Sequence, residues 1–160
     1  MKGEKRVKDL LIPLSDYPHL PFWATLKEAL IQLSSSSESG MNMVLVFNEA
    51  YRLVGILTQV DILWGIEPKF ARHYEDGVPV FWSDLLTQSA RKRIMQPIKE
   101  LMTPTKVTVD SNDSIMKASH IMLIENQDIL AVKEDDRIVG VIRLEDIFRE
   151  VIELLVELEG

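Results

Sequence analysis

Apolar residues fall along this chain in two rhythms, and their order predicts the elements. Thr25 is followed by Ala29, Leu30 and Leu33, and Ser114 by Ile115, Ala118, Ile121 and Met122. Spacings of three and four put each set on one face of a helix. Thr25-x-x-Glu28 has the form of a capping box, in which hydroxyl and carboxylate satisfy amides left open at a helix start. Two pairs of short apolar runs, Leu45–Phe47 with Leu53–Leu57 and Leu130–Val132 with Ile138–Ile142, read as hairpins. Their turns are Asn48-Glu49-Ala50-Tyr51 and Lys133-Glu134-Asp135-Asp136. Phe22–Ala24 and Val107–Val109 read as brief extended pieces ahead of the helices. Ser34–Gly40 and Gly65–Pro79 are loops by composition. Val80–Met95, with Phe81, Leu85, Ala90 and Ile94 near helical spacing, is expected to hold an extra helix. Leu144–Glu159 spreads Ile147, Phe148, Val151, Ile152, Leu155 and Leu158 over a wide helical face, which predicts packing on a partner subunit or over its own core.

The same series of elements occurs twice. Val7-Lys8-Asp9-Leu10-Leu11-Ile12-Pro13 and Ile98-Lys99-Glu100-Leu101-Met102-Thr103-Pro104 share the pattern apolar-Lys-acid-Leu-apolar-x-Pro. Thr25–Ala29 then matches Ser114–Ala118, and Met43–Phe47 matches Ile129–Lys133. The clearest match closes each unit: Arg52-Leu53-Val54-Gly55-Ile56-Leu57 up to Asp61-Ile62, against Arg137-Ile138-Val139-Gly140-Val141-Ile142 up to Asp146-Ile147. Matching blocks in the same order mark a duplication. Each unit reads strand, helix, strand, strand, helix. Residues 1–66 form the first repeat, 67–96 a partly helical insertion, and 97–160 the second repeat with its terminal helix.

Composition narrows the function classes. The 160 residues are 46% apolar and 27% charged, an ordinary globular balance. The net charge of −7 opposes nucleic-acid binding, which calls for a basic surplus; Arg91-Lys92-Arg93 is the one local basic run and reads as an exposed helix end. Cysteine is absent, which removes disulfides and thiolate metal sites and agrees with a cytoplasmic setting. No apolar run approaches the length of a membrane span. His19, His73 and His120 lack metal-binding spacing, and no nucleophile elbow, Walker A or dinucleotide fingerprint occurs. The chain therefore reads as a non-enzyme. Trp64, Tyr74 and Trp82 are expected to pack over the repeat core, with a partner surface as the alternative.

These blocks resemble tandem cystathionine-β-synthase-type (CBS) domains. The motifs that carry the likeness are Lys99–Pro104 leading into Val107–Val109, Arg137–Ile142 leading into Asp146, and Gly55-Ile56-Leu57-Thr58-Gln59-Val60-Asp61, which has the family's Gly-apolar-x-Ser/Thr-x-x-Asp form. The likeness covers nearly the whole chain outside the insertion. It implies an α+β fold of two βαββα repeats packed as one pseudo-symmetric module. It also implies regulation of a separate partner protein through a bound adenine nucleotide (AMP, ADP or ATP, with S-adenosylmethionine or NADH as other possibilities), a homodimer, and no required cofactor. The alternative is a ligand-free structural or dimerisation protein of the same fold. Two departures stand out: the family's Pro-Val pair is missing from Leu45-Val46 and Leu130-Ala131, and Arg143 replaces the hydroxyl residue in the second repeat.

Thr58 ends a strand and precedes a helix, so its hydroxyl lies beside open helix amides, a seat suited to an anion. Asp61, one turn on, could accept hydrogen bonds from a ribose diol while Thr58 donates to phosphate; the family assigns its Asp and Ser/Thr these roles. The same pair equally suits a simple helix cap. Arg143 cannot cap, and a cation at a helix start is unfavourable unless an anion faces it. It reads either as a bidentate phosphate ligand or as a plug paired with Glu145 or Asp146. Thr105, Lys106 and Val107 would line this second-repeat cleft by analogy, Lys106 adding charge or merely being solvated, while Tyr17-Pro18-His19, their counterpart, is less regular.

Overall fold

The computed structural model describes residues 3–35, 42–83 and 90–159. The chain divides into two compact units, one of residues 1–17 with 107–160, the other of residues 18–106. Both sequence boundaries of the insertion, at 66/67 and 96/97, fall inside the second of these. Packing divides the chain differently from the repeats because each repeat's lead-in segment joins the unit built on the other repeat.

The unit of residues 18–106 has a sheet of β2 (His19–Pro21), β3 (Val44–Phe47), β4 (Leu53–Leu57) and β5 (Thr103–Pro104), in that order. β2 runs parallel to β3, and the other pairs are antiparallel. The expected strand at Phe22–Ala24 lies three residues earlier, at His19–Pro21, where its backbone registers with Leu45–Phe47. Helix α1 (Leu26–Ser35) starts as its sequence predicts, with the Glu28 amide donating to the Thr25 hydroxyl at 3.2 Å. It extends through Ser34 and Ser35, the start of a stretch assigned to loop; residues 36–41 lie outside the described residues. Helix α2 (Gln59–Ile66) follows β4. Ala24, Leu26, Ala29, Val44, Val46, Leu57, Ile62 and Ile98 form the core.

The other unit repeats this plan with β1 (Ile12–Pro13), β8 (Arg137–Arg143), β7 (Ile129–Glu134) and β6 (Thr108–Asp110). Helix α3 (Ile115–Glu125) and helix α4 (Leu144–Glu159) complete it. The β7–β8 hairpin closes on Asp135 and Asp136, both at positive φ (49° and 66°), the backbone a two-residue turn needs to follow strand twist. Val7, Val109, Ile115, Ala118, Met122, Leu130, Val132, Ile142 and Ile147 form this core.

The lead-ins are held alike. Ile98 and Lys99 amides donate to the Ala24 and Phe22 carbonyls at 2.7 and 3.0 Å, and Val7 and Lys8 amides to Asp113 and Ser111, both at 2.9 Å. Each lead-in then crosses a glycine. Pro104 registers on Gly55 and Pro13 on Gly140. A Cβ at Gly55 would lie 2.6 Å from the Met102 sulfur and 2.9 Å from the Thr103 carbonyl oxygen, and one at Gly140 would fall on the Ile12 carbonyl oxygen.

The insertion departs from expectation. Lys69–Asp76, inside a stretch read as loop, is a 3-10 helix that begins after Pro68 and ends at Gly77, whose φ of 87° suits glycine. In Val80–Met95, residues 90–93 are helical and 80–82 are not, while Leu85 lies outside the described residues. Trp64, Tyr74 and Trp82 are about half exposed rather than set into a core. Arg72 stacks over Trp64 at 5.4 Å, and Tyr74 meets Trp82 edge-on.

Gly140→Ala is expected to cost about 1–3 kcal/mol or more, because backbone rather than a side chain must move. Gly55→Ala should cost less, since the flexible Met102 side chain can yield in part. Urea unfolding of the two variants measures both values.

Candidate functional site

Thr58 and Asp61 meet at the start of α2. Thr58 has extended backbone (φ −88°, ψ 169°), and its hydroxyl oxygen accepts from the Asp61 amide at 3.1 Å. In return Asp61 Oδ2 accepts from the Thr58 amide at 2.9 Å. This reciprocal pair is a capping box with Asp in the acid position. Both residues are partly buried.

A third residue, absent from the sequence-derived set, completes the arrangement. The Thr103 hydroxyl lies 3.0 Å from both Asp61 oxygens and donates to the carboxylate. It reaches that position from β5, whose pairing sets Thr103 against Ile56. Two residues on, the Thr105 amide donates to the Val54 carbonyl at 3.1 Å, extending the lead-in along β4. Lys106 is exposed. The 18–106 unit thus brings Thr58 and Thr103 to the Asp61 carboxylate, with Thr105 further along the same lead-in. Val107 belongs to the other unit and packs against its core.

Arg143 and Asp146 occupy the corresponding place at the start of α4. Arg143 donates from Nε to Asp146 Oδ2 at 2.8 Å and from a terminal nitrogen to Oδ1 at 3.1 Å, a bidentate pair. Its other terminal nitrogen lies 2.9 Å from Glu145, and Arg149 approaches Asp146 at 3.5 Å. The Arg143 and Asp146 side chains are 16% and 14% exposed, so the pair is largely desolvated. Its hydrogen bond to Asp146 raises the guanidinium's affinity for its proton further. The residue at the Thr103 position in this unit is Ile12, which brings no hydroxyl.

Tyr17 is buried in this unit. Burial pushes its phenol well above the ordinary value, and the nearby positive charge of Arg143 only partly offsets this. Lys5 pairs with the buried Glu150 of α4 at 3.2 Å, which ties the start of the chain to the same helix. Among the described residues no group of His, Asp and Glu is placed to hold a metal ion, and no helix is long and apolar enough to cross a membrane.

Residues 98–153 match the family model for the CBS domain. The sequence matches no curated protein. Among solved structures, the CBS-pair protein CBSX2 from Arabidopsis thaliana is 17% identical with a TM-score of 0.70, the match covering 95% of this chain and 97% of that one. CBSX2 in complex with AMP is 17% identical with a TM-score of 0.66 over 95% and 98% of the two chains. The cytosolic domain of the Mg2+ channel MgtE in complex with ATP is 19% identical with a TM-score of 0.64 over 92% of this chain and 49% of that one. The chain has the fold of these CBS-pair structures, and residues 98–153 are similar in sequence to the CBS domain.

The buried phenol gives a pH dependence of known sign. The unfolded chain ionises Tyr17 near pH ~10, whereas the folded chain keeps it protonated to higher pH. Its contribution to stability is therefore complete below that point and is lost as pH rises beyond it. Tyr17→Phe should flatten the fall of melting temperature from about pH 9 to about pH 11 relative to the parent chain.

Proposed function

We propose that this chain is a regulatory module that binds an adenine nucleotide and acts on a separate partner protein, without catalysing a reaction itself. The observation that carries the reading is the partly buried Asp61 carboxylate, seated between the start of α2 and the β5 lead-in and held in part by the Thr103 hydroxyl, which a ligand can replace. The AMP and ATP complexes of similar folds support the same ligand class.

The chemistry follows from hydrogen-bond capacity. The hydroxyls of a ribose diol would donate to Asp61, which is acceptor-only when ionised. Thr58 accepts from the Asp61 amide, yet its own hydrogen can still donate to a phosphate oxygen. The open amides of α2 and the Lys106 charge favour the same anion. Thr105 would flank the base. AMP, ADP and ATP carry all of these groups; S-adenosylmethionine shares the adenosine and NADH the ribose diol and phosphate.

Arg143 and Asp146 make the second candidate position. A phosphate there would have to draw Arg143 from its bidentate partner, so ligand is expected first at Asp61. The paired state of Arg143 is also what favours the second reading, a ligand-free structural protein. In either reading a homodimer would cover the α4 face, where Phe148, Ile152, Leu155, Val156 and Leu158 are exposed. The proposed setting is the cytoplasm. Regulation requires that the nucleotide favour one state of the module over another, since equal affinity shifts nothing.

Thermal melts with AMP, ADP, ATP, S-adenosylmethionine and NADH test the reading. At about 100 times Kd a single bound nucleotide stabilises the fold by about 2.7 kcal/mol, equivalent to about 5–11 °C for a chain of this size. Asp61→Ala should abolish the shift and Asp146→Ala should leave it. No shift with any compound would favour the structural reading.

A further inference from the structure

We infer that Thr103 is a displaceable latch on the Asp61 carboxylate, which a bound nucleotide must release; the inference rests on the nucleotide reading above. The Thr103 hydroxyl has one proton and lies 3.0 Å from each Asp61 oxygen, the position a ribose diol would need. Asp61 Oδ2 is also engaged by the Thr58 amide, and that bond belongs to the helix cap. Of the two contacts, the Thr103 hydroxyl is the one a ligand can replace without uncapping α2.

The mounting of Thr103 suits a part that lets go. β5 is two residues long and exposed, paired only through Ile56 with Thr103 and Gly55 with Pro104. The Thr105 amide bond to Val54 is its continuation. A strand this short, with solvent-exposed bonds, opens at low cost compared with the sheet interior. The chain then runs straight through Thr105 and Lys106 to the unit boundary before Val107. Release of Thr103 therefore loosens the segment through which the chain leaves the 18–106 unit.

The other repeat provides the contrast. Asp146 has no hydroxyl facing it from β1, where Ile12 stands, and is held instead by two charge-assisted bonds from Arg143. The Thr103 bond has a charge on the acceptor alone, whereas the Arg143 pair is bidentate and charged on both sides. One carboxylate of the duplicated pair is latched by a single neutral donor and the other is clamped by a cation. The duplication has thus diverged into a releasable position and a closed one.

Isothermal titration of the full chain with AMP and, separately, with ATP tests the latch. Thr103→Val should bind the nucleotide about 3- to 10-fold more tightly than the parent, because a competing hydrogen bond is gone. Thr103→Ser keeps the hydroxyl and should stay within about 2-fold of the parent. Hydrogen exchange of the parent chain supplies a readout that needs no variant: the Thr105 amide should exchange faster with saturating nucleotide. Unchanged or weaker binding by Thr103→Val overturns the latch, as does an unchanged or slower Thr105 amide. Failure of the parent chain to bind either nucleotide overturns the nucleotide reading and the latch with it, whereas binding without these changes overturns the latch alone.

Discussion

The arrangement depends on a backbone crossing that only glycine permits. In each unit a lead-in segment from one repeat lies across the last hairpin strand of the other, and at the crossing a Cβ would strike main-chain carbonyl. The crossing is only two registered residues long on either side. It nevertheless determines what stands over the helix start that follows: three residues after Gly55 is Thr58, and three after Gly140 is Arg143. Without close approach at Gly55, Thr103 could not reach Asp61.

What stands there decides the electrostatics of each carboxylate. A charge at a helix start is favoured by the dipole and the open amides if it is negative. Asp61 and Asp146 both take that place, and each requires further partners because burial removes part of its hydration. Asp61 has a backbone amide and two neutral hydroxyl residues around it. Asp146 has a guanidinium, which neutralises it and also relieves the unfavourable position of Arg143 at the same helix end. The first solution leaves acceptor capacity that a polyhydroxyl ligand can use; the second occupies it with charge.

Much of this was legible in the residues, and the rest was hidden for physical reasons. Hairpins, helices and their duplication follow from local periodicity, and α4 runs over Leu144–Glu159 as its apolar pattern predicts. The exchange of lead-ins was not legible, because pairing of Ile12 with Val141 or Thr103 with Ile56 joins residues far apart in sequence and leaves no periodic trace. Thr103 was visible only as part of a repeated motif; its opposition to Ile12 in the two lead-ins was the available signal. The 3-10 helix at Lys69–Asp76 escaped because it sits between Pro68 and Gly77 in a stretch whose composition reads as loop, and Trp64 and Tyr74 find partners within the insertion rather than a core.

The central claim is that one carboxylate, Asp61, receives the nucleotide. Proton–nitrogen correlation spectra of the full chain, recorded through a titration with AMP, test it most directly. The account predicts that amides of residues 58–61, 103, 105 and 106 shift first and saturate together, while those of residues 143–146 stay in place. Saturable shifts at 143–146 with residues 58–61 unmoved, or no shifts at all, would contradict it.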